Sequence, residues 1–379
     1  MSRFCLPRDI YHGKGCLEEL KNLKGKKAIL VVGGGSMKRQ GFLDRAVGYL
    51  KEAGMEVQLF EGVEPDPSVE TVMKGAEAMR AFEPDWIVSM GGGSPIDAAK
   101  AMWAFYEYPD TTFEELCTPF NFPELRQKAK FCAIPSTSGT ATEVTAFSVI
   151  TNYQTGVKYP LADFNITPDV AIVDPDLVAG LPVKQVAYTG MDALTHAIEG
   201  YITAGAWELS DMFHLKAIEI ISNSLRGAVE NTPQGREGMA LGQYVAGMGF
   251  SNVGLGIVHS MAHPLGALYD TPHGVANAII LPTVMEYNAP ATGEKYRNIA
   301  KAMGVDGVDG MTLDEARKAA VNAVKKLSKD VGIPENLKDI VKPEDVDFLA
   351  QSAYDDACRP GNPRETSVEE IKELYLSLM

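Results

Sequence analysis

The 379-residue chain has few cysteines and comparatively few basic residues. Its five cysteines are widely spaced and never form a CxxC pair, so we expect neither a disulfide framework nor a cysteine zinc site. Fifty acidic residues against 35 basic ones give a formal net charge of -15. Because this charge repels polyanions, the composition disfavours nucleic acid and anionic membranes as partners.

Targeting signals are also scarce. The N-terminal residues lack the charged, apolar and small-residue succession of a secretory signal, so we expect a cytoplasmic protein. Residues 238–269 contain no Asp, Glu, Lys or Arg, and a segment of that length could span a bilayer. Polar residues, two histidines and Pro264 interrupt this segment, and its glycines suit close helix packing. We therefore expect a buried core segment without a membrane span.

The two halves of the chain show different periodicities. In the first half, the β-rich runs KAILVV, EVQLF and DWIVSM are each followed by a helical pattern, and KFCAIP and DVAIVDP add two further strands. This order predicts a Rossmann-like α/β domain with a mostly parallel sheet. From Val186 onward the patterns are helical, which predicts an all-α domain. The segment AGLPVKQV marks the boundary, giving domains over residues 1–181 and 182–379.

Three strands of the first half run into turns rich in small residues: VVGGGSMK, VSMGGGSPIDAAK and IPSTSGTATE. In the second turn, Ser94 suits a helix N-cap, Pro95 the first helical position and Asp97 the third. A helix N-terminus binds pyrophosphate, so we expect the first domain to bind a phosphate-bearing ligand at the carboxyl ends of these strands. None of them matches GxGxxG or GxxxxGK[ST], and ordinary tight turns are the alternative interpretation.

Histidines cluster in the second half. His259, His263 and His273 lie in VHSMAHPLGALYDTPHG, although the whole chain has only six histidines. His259 and His263 are four residues apart and would point from one face of a helix. Beyond Pro264, a loop could turn His273 back toward the same centre. Histidines that only satisfy buried hydrogen bonds are the structural alternative.

A second pair with the same spacing completes a possible metal site. Asp192 and His196 in GMDALTHAIEGY are four residues apart. One carboxylate with three neutral imidazoles would suit Fe(II) or Zn(II), so we expect the second domain to be metal-binding and catalytic. Spacing alone does not choose between Asp192 and Glu199 as the carboxylate, and Asp211 with His214 forms a similar pair elsewhere.

The motifs together resemble one family. GGGSPIDAAK, PSTSGTATEV, GMDALTHAIEGY, GMGFSNVGLGIVHSMAHPLGALYDTPHG and CRPGNPRE are similar, in the same order, to segments of the iron-containing (group III) alcohol dehydrogenases. The resemblance covers about residues 5–378 and is closest to the butanol dehydrogenase and lactaldehyde:propanediol oxidoreductase branches. It implies a dehydroquinate synthase-like, iron-alcohol dehydrogenase fold and a homodimer.

The resemblance also implies a ligand set and a reaction. The implied metal ligands are Asp192, His196, His259 and His273. Glu199 is left out, and His263 would lie near the substrate as the catalytic residue, serving a proton relay. The implied activity is NAD(P)-linked interconversion of primary alcohols and aldehydes. In it the metal, Fe(II) before Zn(II), acts as a Lewis acid while hydride moves to or from the nicotinamide.

For the cofactor, the resemblance implies contacts from several turn residues and one lysine. These residues are Gly34, Ser36, Gly92, Gly93, Ser94, Thr137, Thr140 and Lys158. Members that prefer NAD carry an aspartate where this chain has Gly34. Its absence, with Ser36, Lys38 and Arg39 close by, favours NADP(H) over NAD(H).

The substrate is less defined by the sequence. By resemblance, Phe147, Phe250 and Cys358 line the pocket, which suggests a small to medium, uncharged aldehyde or primary alcohol. Ordinary core packing is the alternative for each. Two other functions stay open: a metal- and NAD-dependent lyase of the dehydroquinate synthase type, and a sensor that binds metal or nucleotide without turnover.

Overall fold

The computed structural model describes residues 2–379, which divide into two compact units. The first reaches to Gly180 and the second is Leu181–Met379. Strands occur in the first unit, and the described residues of the second unit form helices and connecting loops without a strand. The predicted fold class, an α/β domain with a parallel sheet followed by an all-α domain, is confirmed.

Six parallel strands form the sheet of the first unit, in the order β1-β8-β5-β4-β2-β3. The strands in the described residues are β1 (Asp9–His12), β2 (Lys27–Val32), β3 (Glu56–Phe60), β4 (Trp86–Gly91), β5 (Lys130–Pro135), β6 (Phe147–Asn152), β7 (Val157–Ala162) and β8 (Val170–Val173). Met90 lies opposite Val32 on one side and Ile134 on the other, so β2, β4 and β5 end at one edge. The three small-residue turns follow these neighbouring strand ends.

The helices of the first unit are α1 (Ser36–Arg39), α2 (Phe42–Glu52), α3 (Val69–Phe82), α4 (Gly93–Glu107) and α5 (Phe113–Cys117). Successive residues of β2 belong to different hydrophobic clusters. Ile29 packs in the cluster that contains residues of α3 and α4, while Leu30 packs in the one that contains residues of α2. Both faces of the sheet are therefore covered, which explains why its strands are apolar without alternation.

Two features of the first unit were not predicted. The edge strand β1 is short and only partly buried. The strands β6 and β7 form a separate antiparallel hairpin, in which Phe147 lies opposite Ala162. Their sequences mix polar and apolar residues without the continuous apolar runs that mark the buried strands, so periodicity alone did not identify them.

The second unit consists of nine α-helices with short connections in the described residues. They are α6 (Val183–Ile202), α7 (Glu208–Val229), α8 (Pro233–Val253), α9 (Ile257–Tyr269), α10 (His273–Asn288), α11 (Lys295–Ala302), α12 (Leu313–Asp330), α13 (Val346–Asp355) and α14 (Val368–Ser377). One continuous hydrophobic cluster contains residues from all nine helices. Residues 238–269 belong mainly to α8 and α9, and no helix in the described chain is long and apolar enough to cross a membrane.

The start of α4 differs from the prediction. The helix begins at Gly93 with Gly92 as its N-cap, so Ser94 is the second helical residue and not the N-cap. Gly91 adopts φ +150°, a conformation that favours glycine, and the chain turns before Ser94 is reached. The side chain of Asp97 accepts hydrogen bonds from the Thr142 hydroxyl at 2.6 Å and the Val149 amide at 3.0 Å.

A fully buried lysine of α4 holds the segment that follows β5. The Lys100 ammonium donates hydrogen bonds to the carbonyl oxygens of Thr142, Thr145 and Phe147 at 2.7–2.8 Å. Burial lowers the pKa of Lys100 to about 8, and the nearby Asp97 carboxylate opposes that shift. Lys100 therefore donates, and Asp97 accepts, the hydrogen bonds that fix residues 142–149 to α4.

We expect Lys100→Met to lower the free energy of unfolding by about 3–5 kcal/mol, because it leaves Asp97 and three carbonyl oxygens without their cation. Urea denaturation followed by circular dichroism measures this change. The matched control is Lys74→Met on the exposed face of α3, where the effect should stay within about 0.5 kcal/mol. Equal effects of the two substitutions would contradict a stabilising role for Lys100.

Candidate metal centre and cofactor-binding turns

Helix α6 supplies three buried polar side chains to the interior of the second unit. Asp192, His196 and Glu199 occupy positions i, i+4 and i+7, so they lie on one face of the helix. All three are buried. Buried polar groups require partners, and each of these side chains faces residues of α9 or α10.

Helices α9 and α10 supply the histidines. His259 and His263 lie one turn apart on α9, and Pro264 is accommodated inside that helix. His273 is the first residue of α10, and residues 270–272 connect α9 to it. Asp270 ends α9 in the left-handed conformation, and Pro272 precedes the first turn of α10. This short connection turns the chain back, so His273 faces the same centre as His259.

Gly274 allows α10 to approach α6 closely. A Cβ atom at this position would lie 2.2 Å from the carbonyl oxygen of Tyr188 and 3.4 Å from Cβ of Asp192. No side chain fits at the first of these distances, so only glycine permits this helix contact. The contact brings His273, the preceding residue, next to Asp192, with 3.6 Å between Nε2 and Oδ1.

The four predicted ligands converge on one point. One atom each from Asp192, His196, His259 and His273 lies within 4.8 Å of the others. Three of these side chains are almost fully buried, whereas the side chain of His273 is 41% exposed. The cluster is therefore buried around Asp192, His196 and His259 and partly exposed at His273.

Asn277 shows that the cluster fits a cation. Its amide Nδ2 lies 2.8 Å from Oδ1 of Asp192, 3.2 Å from Nε2 of His259 and 3.0 Å from Nε2 of His273. Its Oδ1 is buried and has no hydrogen-bond partner among the described residues. The ligand atoms thus direct their lone pairs to a common centre, and one carboxylate with three imidazoles suits Fe(II) or Zn(II).

Glu199 lies outside this cluster and orients one of its members. Its carboxylate accepts hydrogen bonds from the backbone amides of Val258 at 2.7 Å and His259 at 3.3 Å. Its Oε2 also lies 2.5 Å from Nδ1 of His259, which leaves Nε2 as the nitrogen that faces the cluster. Burial raises the pKa of Glu199 to about 8 and lowers the pKa of His259 well below its usual value.

Asp211 and His214, the similar pair noted in the sequence, do not belong to the cluster. Asp211 forms an ion pair with Lys295 at 3.4 Å. His214 is fully buried, and Cβ atoms at positions 200 and 249 would lie within 2.3 Å of its ring. Burial lowers the pKa of His214 to about 3, so this imidazole is neutral and belongs to the packing between helices.

His263 lies beside the cluster without being one of the four. Its ring stacks on that of His273, with centroids 5.4 Å apart and planes inclined by 11°. Its Nδ1 lies 2.7 Å from Oδ2 of Asp356, a residue that the sequence analysis missed. Asp356 precedes Cys358 by two residues, so inspection of acidic residues next to the CRPGNPRE segment could have identified it. Phe250 stacks on His196, with centroids 4.3 Å apart.

In the first unit, the turns after β4 and β5 meet. A Cβ atom at Gly93 would lie 3.2 Å from Cγ2 of Thr140, and one at Gly92 would lie 3.4 Å from Cγ2 of Thr137. Glycine at both positions therefore lets the two turns lie close together. The structure thus brings together four of the predicted cofactor-binding residues. A fifth, Ser94, is the residue after Gly93 on α4.

The turn after β2 has a different character. A Cβ atom at Gly34 would meet no other atom within 4 Å. The Arg39 guanidinium donates a hydrogen bond to the Gly34 carbonyl at 3.4 Å, and Lys38 pairs with Glu61 at 3.1 Å. Ser36 is the first residue of α1. The Arg39 guanidinium therefore lies next to Gly34. By the family resemblance, an acidic residue at this position would favour NAD.

The remaining predicted residues are dispersed. Lys158 on β7 forms an ion pair with Asp66 at 2.8 Å. Phe147 begins β6 in the first unit, whereas Phe250 and Cys358 belong to the second. Their assignment to the substrate pocket, and that of Lys158 to the nicotinamide ribose, stays a prediction.

Known proteins resemble this chain over its whole length. It is 58% identical over 380 residues to the NADPH-dependent butanol dehydrogenase of Clostridium saccharobutylicum, an alignment that covers 99% of this chain and 97% of the relative. It is 48% identical over 382 residues to the lactaldehyde reductase of Escherichia coli K12, with 99% and 98% covered.

Solved structures with the same fold include a 1,3-propanediol oxidoreductase, with a TM-score of 0.95 and 38% identity, and an alcohol dehydrogenase from Oenococcus oeni, with a TM-score of 0.95 and 32% identity. Both alignments cover 100% of each chain. Residues 7–175 match the family described as iron-containing alcohol dehydrogenase, and residues 186–379 match the C-terminal part of the Fe-containing alcohol dehydrogenase family. The chain therefore belongs to the iron-containing alcohol dehydrogenase family.

Proposed function

We propose that this oxidoreductase is a metal-dependent enzyme that interconverts small primary alcohols and aldehydes with NADP(H) as the preferred cofactor. The observation that carries this proposal is the convergence of one carboxylate and three imidazoles in the second unit. Family membership supports the alcohol dehydrogenase reaction over the lyase reaction.

The four converging residues, Asp192, His196, His259 and His273, would hold the metal, with iron first by family and zinc second. A divalent metal supplies a Lewis acid for the substrate oxygen. Glu199 fixes the ring of His259, and Asn277 holds the carboxylate of Asp192, so these two residues orient the ligands.

His263 is the candidate for proton exchange with the substrate. It lies beside His273, and its side chain is 27% exposed, whereas that of His259 is 2% exposed. Because Nδ1 of His263 is engaged by Asp356, Nε2 is the atom available to give or take a proton.

The turns of the first unit are the candidate cofactor site. Gly92, Gly93, Ser94, Thr137 and Thr140 would bind the pyrophosphate through amides and hydroxyls. Gly34 with the adjacent Arg39 would accept the 2′-phosphate of NADP(H), and Ser36 could donate a further hydrogen bond. The name of the butanol dehydrogenase relative supports this preference.

The substrate, the assembly and the compartment rest on resemblance. The relatives act on butanol, lactaldehyde or 1,3-propanediol by their names, so we propose small, uncharged substrates. The substrate contacts of Phe147, Phe250 and Cys358 are proposed from the family resemblance alone. A homodimer and a cytoplasmic location are proposed on the same basis.

Anaerobic aldehyde reduction tests the function. Apoprotein is reconstituted separately with Fe(II) and Zn(II), and butanal and lactaldehyde are offered with NADPH or NADH. We expect metal-dependent oxidation of the reduced cofactor, faster with NADPH. Absence of turnover in every combination, with metal and cofactor both bound, would favour the sensor and overturn the proposal.

Asn277→Ala should weaken metal binding by about 10–100-fold, because it removes the amide that orients Asp192. The dissociation constants for Zn(II) and Co(II) are measured by competition with a chromophoric chelator. Asn322→Ala, on the exposed face of α12, is the matched control. If both variants bind metal as the wild type does, Asn277 has no role in the site. The melting temperature of the metal-free variants shows whether they are folded.

Gly34→Asp should lower kcat/KM for NADPH by about 10–100-fold while that for NADH changes less, because a carboxylate repels the 2′-phosphate and accepts a hydrogen bond from the 2′-hydroxyl. The side chain fits, since a Cβ atom at Gly34 contacts nothing within 4 Å. Gly48→Asp, on α2, adds the same charge at another open glycine and is the control. Parallel losses with both cofactors would show that Gly34 does not select NADP(H).

A further inference from the structure

Asp356 follows α13 directly and faces the candidate proton-exchanging histidine. Its Oδ2 lies 2.7 Å from Nδ1 of His263, a distance typical of a charge-assisted hydrogen bond. The Asp356 side chain is 14% exposed, against 79% for Asp347 on the same helix. A carboxylate that is so withdrawn from water requires fixed partners.

Both oxygens of this carboxylate have partners. Oδ1 accepts a hydrogen bond from the Cys358 backbone amide at 2.8 Å and another from the Ser260 hydroxyl at 3.2 Å. Burial raises the pKa of Asp356, but His263 and these hydrogen bonds outweigh it and hold the pKa below its usual value. The carboxylate is therefore ionised and fixed in orientation.

An ionised carboxylate only accepts hydrogen bonds, so Nδ1 of His263 carries a hydrogen atom. In the neutral imidazole the lone pair then belongs to Nε2. The ring is also held by stacking on His273. The orientation of the ring and the nitrogen that carries hydrogen are thus set by Asp356 and His273.

We propose that Asp356 is a positioning residue for the reaction, which fixes His263 as the Nδ1–H tautomer so that proton exchange with the substrate occurs at Nε2. This inference rests on the proposed function. In aldehyde reduction, the hydride of NADPH forms the C–H bond at the carbonyl carbon, and Nε2–H of protonated His263 gives its proton to the oxygen. The products are alcohol, NADP⁺ and neutral His263, which takes a proton from water. Alcohol oxidation is the reverse.

A second metal site is the alternative role for the side chains around His263. His263, Asp356 and Cys358 also place ligand atoms within 4.8 Å of one another. Two observations favour the positioning role. Asp356 already occupies Nδ1 of His263. Burial raises the pKa of the Cys358 thiol well above its usual value, with Asp356 adding to the effect, whereas a metal ligand must be a thiolate.

The test compares Asp356→Asn with Asp355→Asn, which changes the adjacent exposed carboxylate. An asparagine keeps an oxygen for Ser260 and Cys358, but its amide donates to Nδ1 and forces hydrogen onto Nε2. We expect kcat for butanal reduction to fall at least about 100-fold in Asp356→Asn. KM values and metal content should change less than about twofold, and Asp355→Asn should match the wild type.

A double-mutant cycle with His263→Ala separates positioning from a structural role. If Asp356 acts through His263, adding Asp356→Asn to His263→Ala should change kcat less than about twofold. Equal losses in both backgrounds would overturn the proposal. It would also be overturned if the wild type bound a second Zn(II) that Asp356→Asn lost.

A spectroscopic readout does not depend on turnover. In Zn(II)-loaded protein labelled with ¹⁵N-histidine, the His263 signals are assigned as those missing from His263→Ala. We expect the Nδ1–H tautomer in the wild type and Nε2–H in Asp356→Asn. If the wild type carries its hydrogen on Nε2, the positioning proposal fails. A wild type without turnover but with the expected tautomer would instead contradict the proposed function.

Discussion

The second unit depends on bringing four candidate ligand side chains from three helices to one buried point. Such a cluster of lone pairs is unfavourable unless surrounding groups hold it together. Glu199 accepts hydrogen bonds from backbone amides at the start of α9, Asn277 donates one to Asp192, and Gly274 lets α10 lie against α6. The site is therefore a consequence of how these helices pack as much as of the ligands themselves.

In the first unit, close packing of backbone turns has the role that packing of side chains has in the second. Its candidate cofactor-binding turns follow neighbouring parallel strands, and glycines let them approach one another. Asp97 and the buried Lys100 then fix the segment after β5 to α4. In both units, polar side chains outside the candidate binding residues hold the segments that carry those residues.

The proposed roles divide between residues of the metal cluster and residues outside it. In the proposed function, the four converging residues supply the Lewis acid chemistry by holding the metal. Gly34 and Arg39 are proposed to bear on the choice of cofactor, and Asp356 on how His263 is used. All three lie outside the proposed ligand set, so each can be substituted without removing a ligand.

The sequence by itself determined the parallel sheet and the helical second half, because apolar periodicity is a local property. The spacing of the histidines indicated a metal cluster, but it did not separate Asp192 from Glu199, and the four-residue set came from resemblance to the family. The sequence also misplaced the start of α4. It also did not reveal Asn277 or Asp356. Those features arise from contacts between helices that are distant in the chain, and only the packed structure fixes which oxygen meets a ligand and which meets a backbone amide.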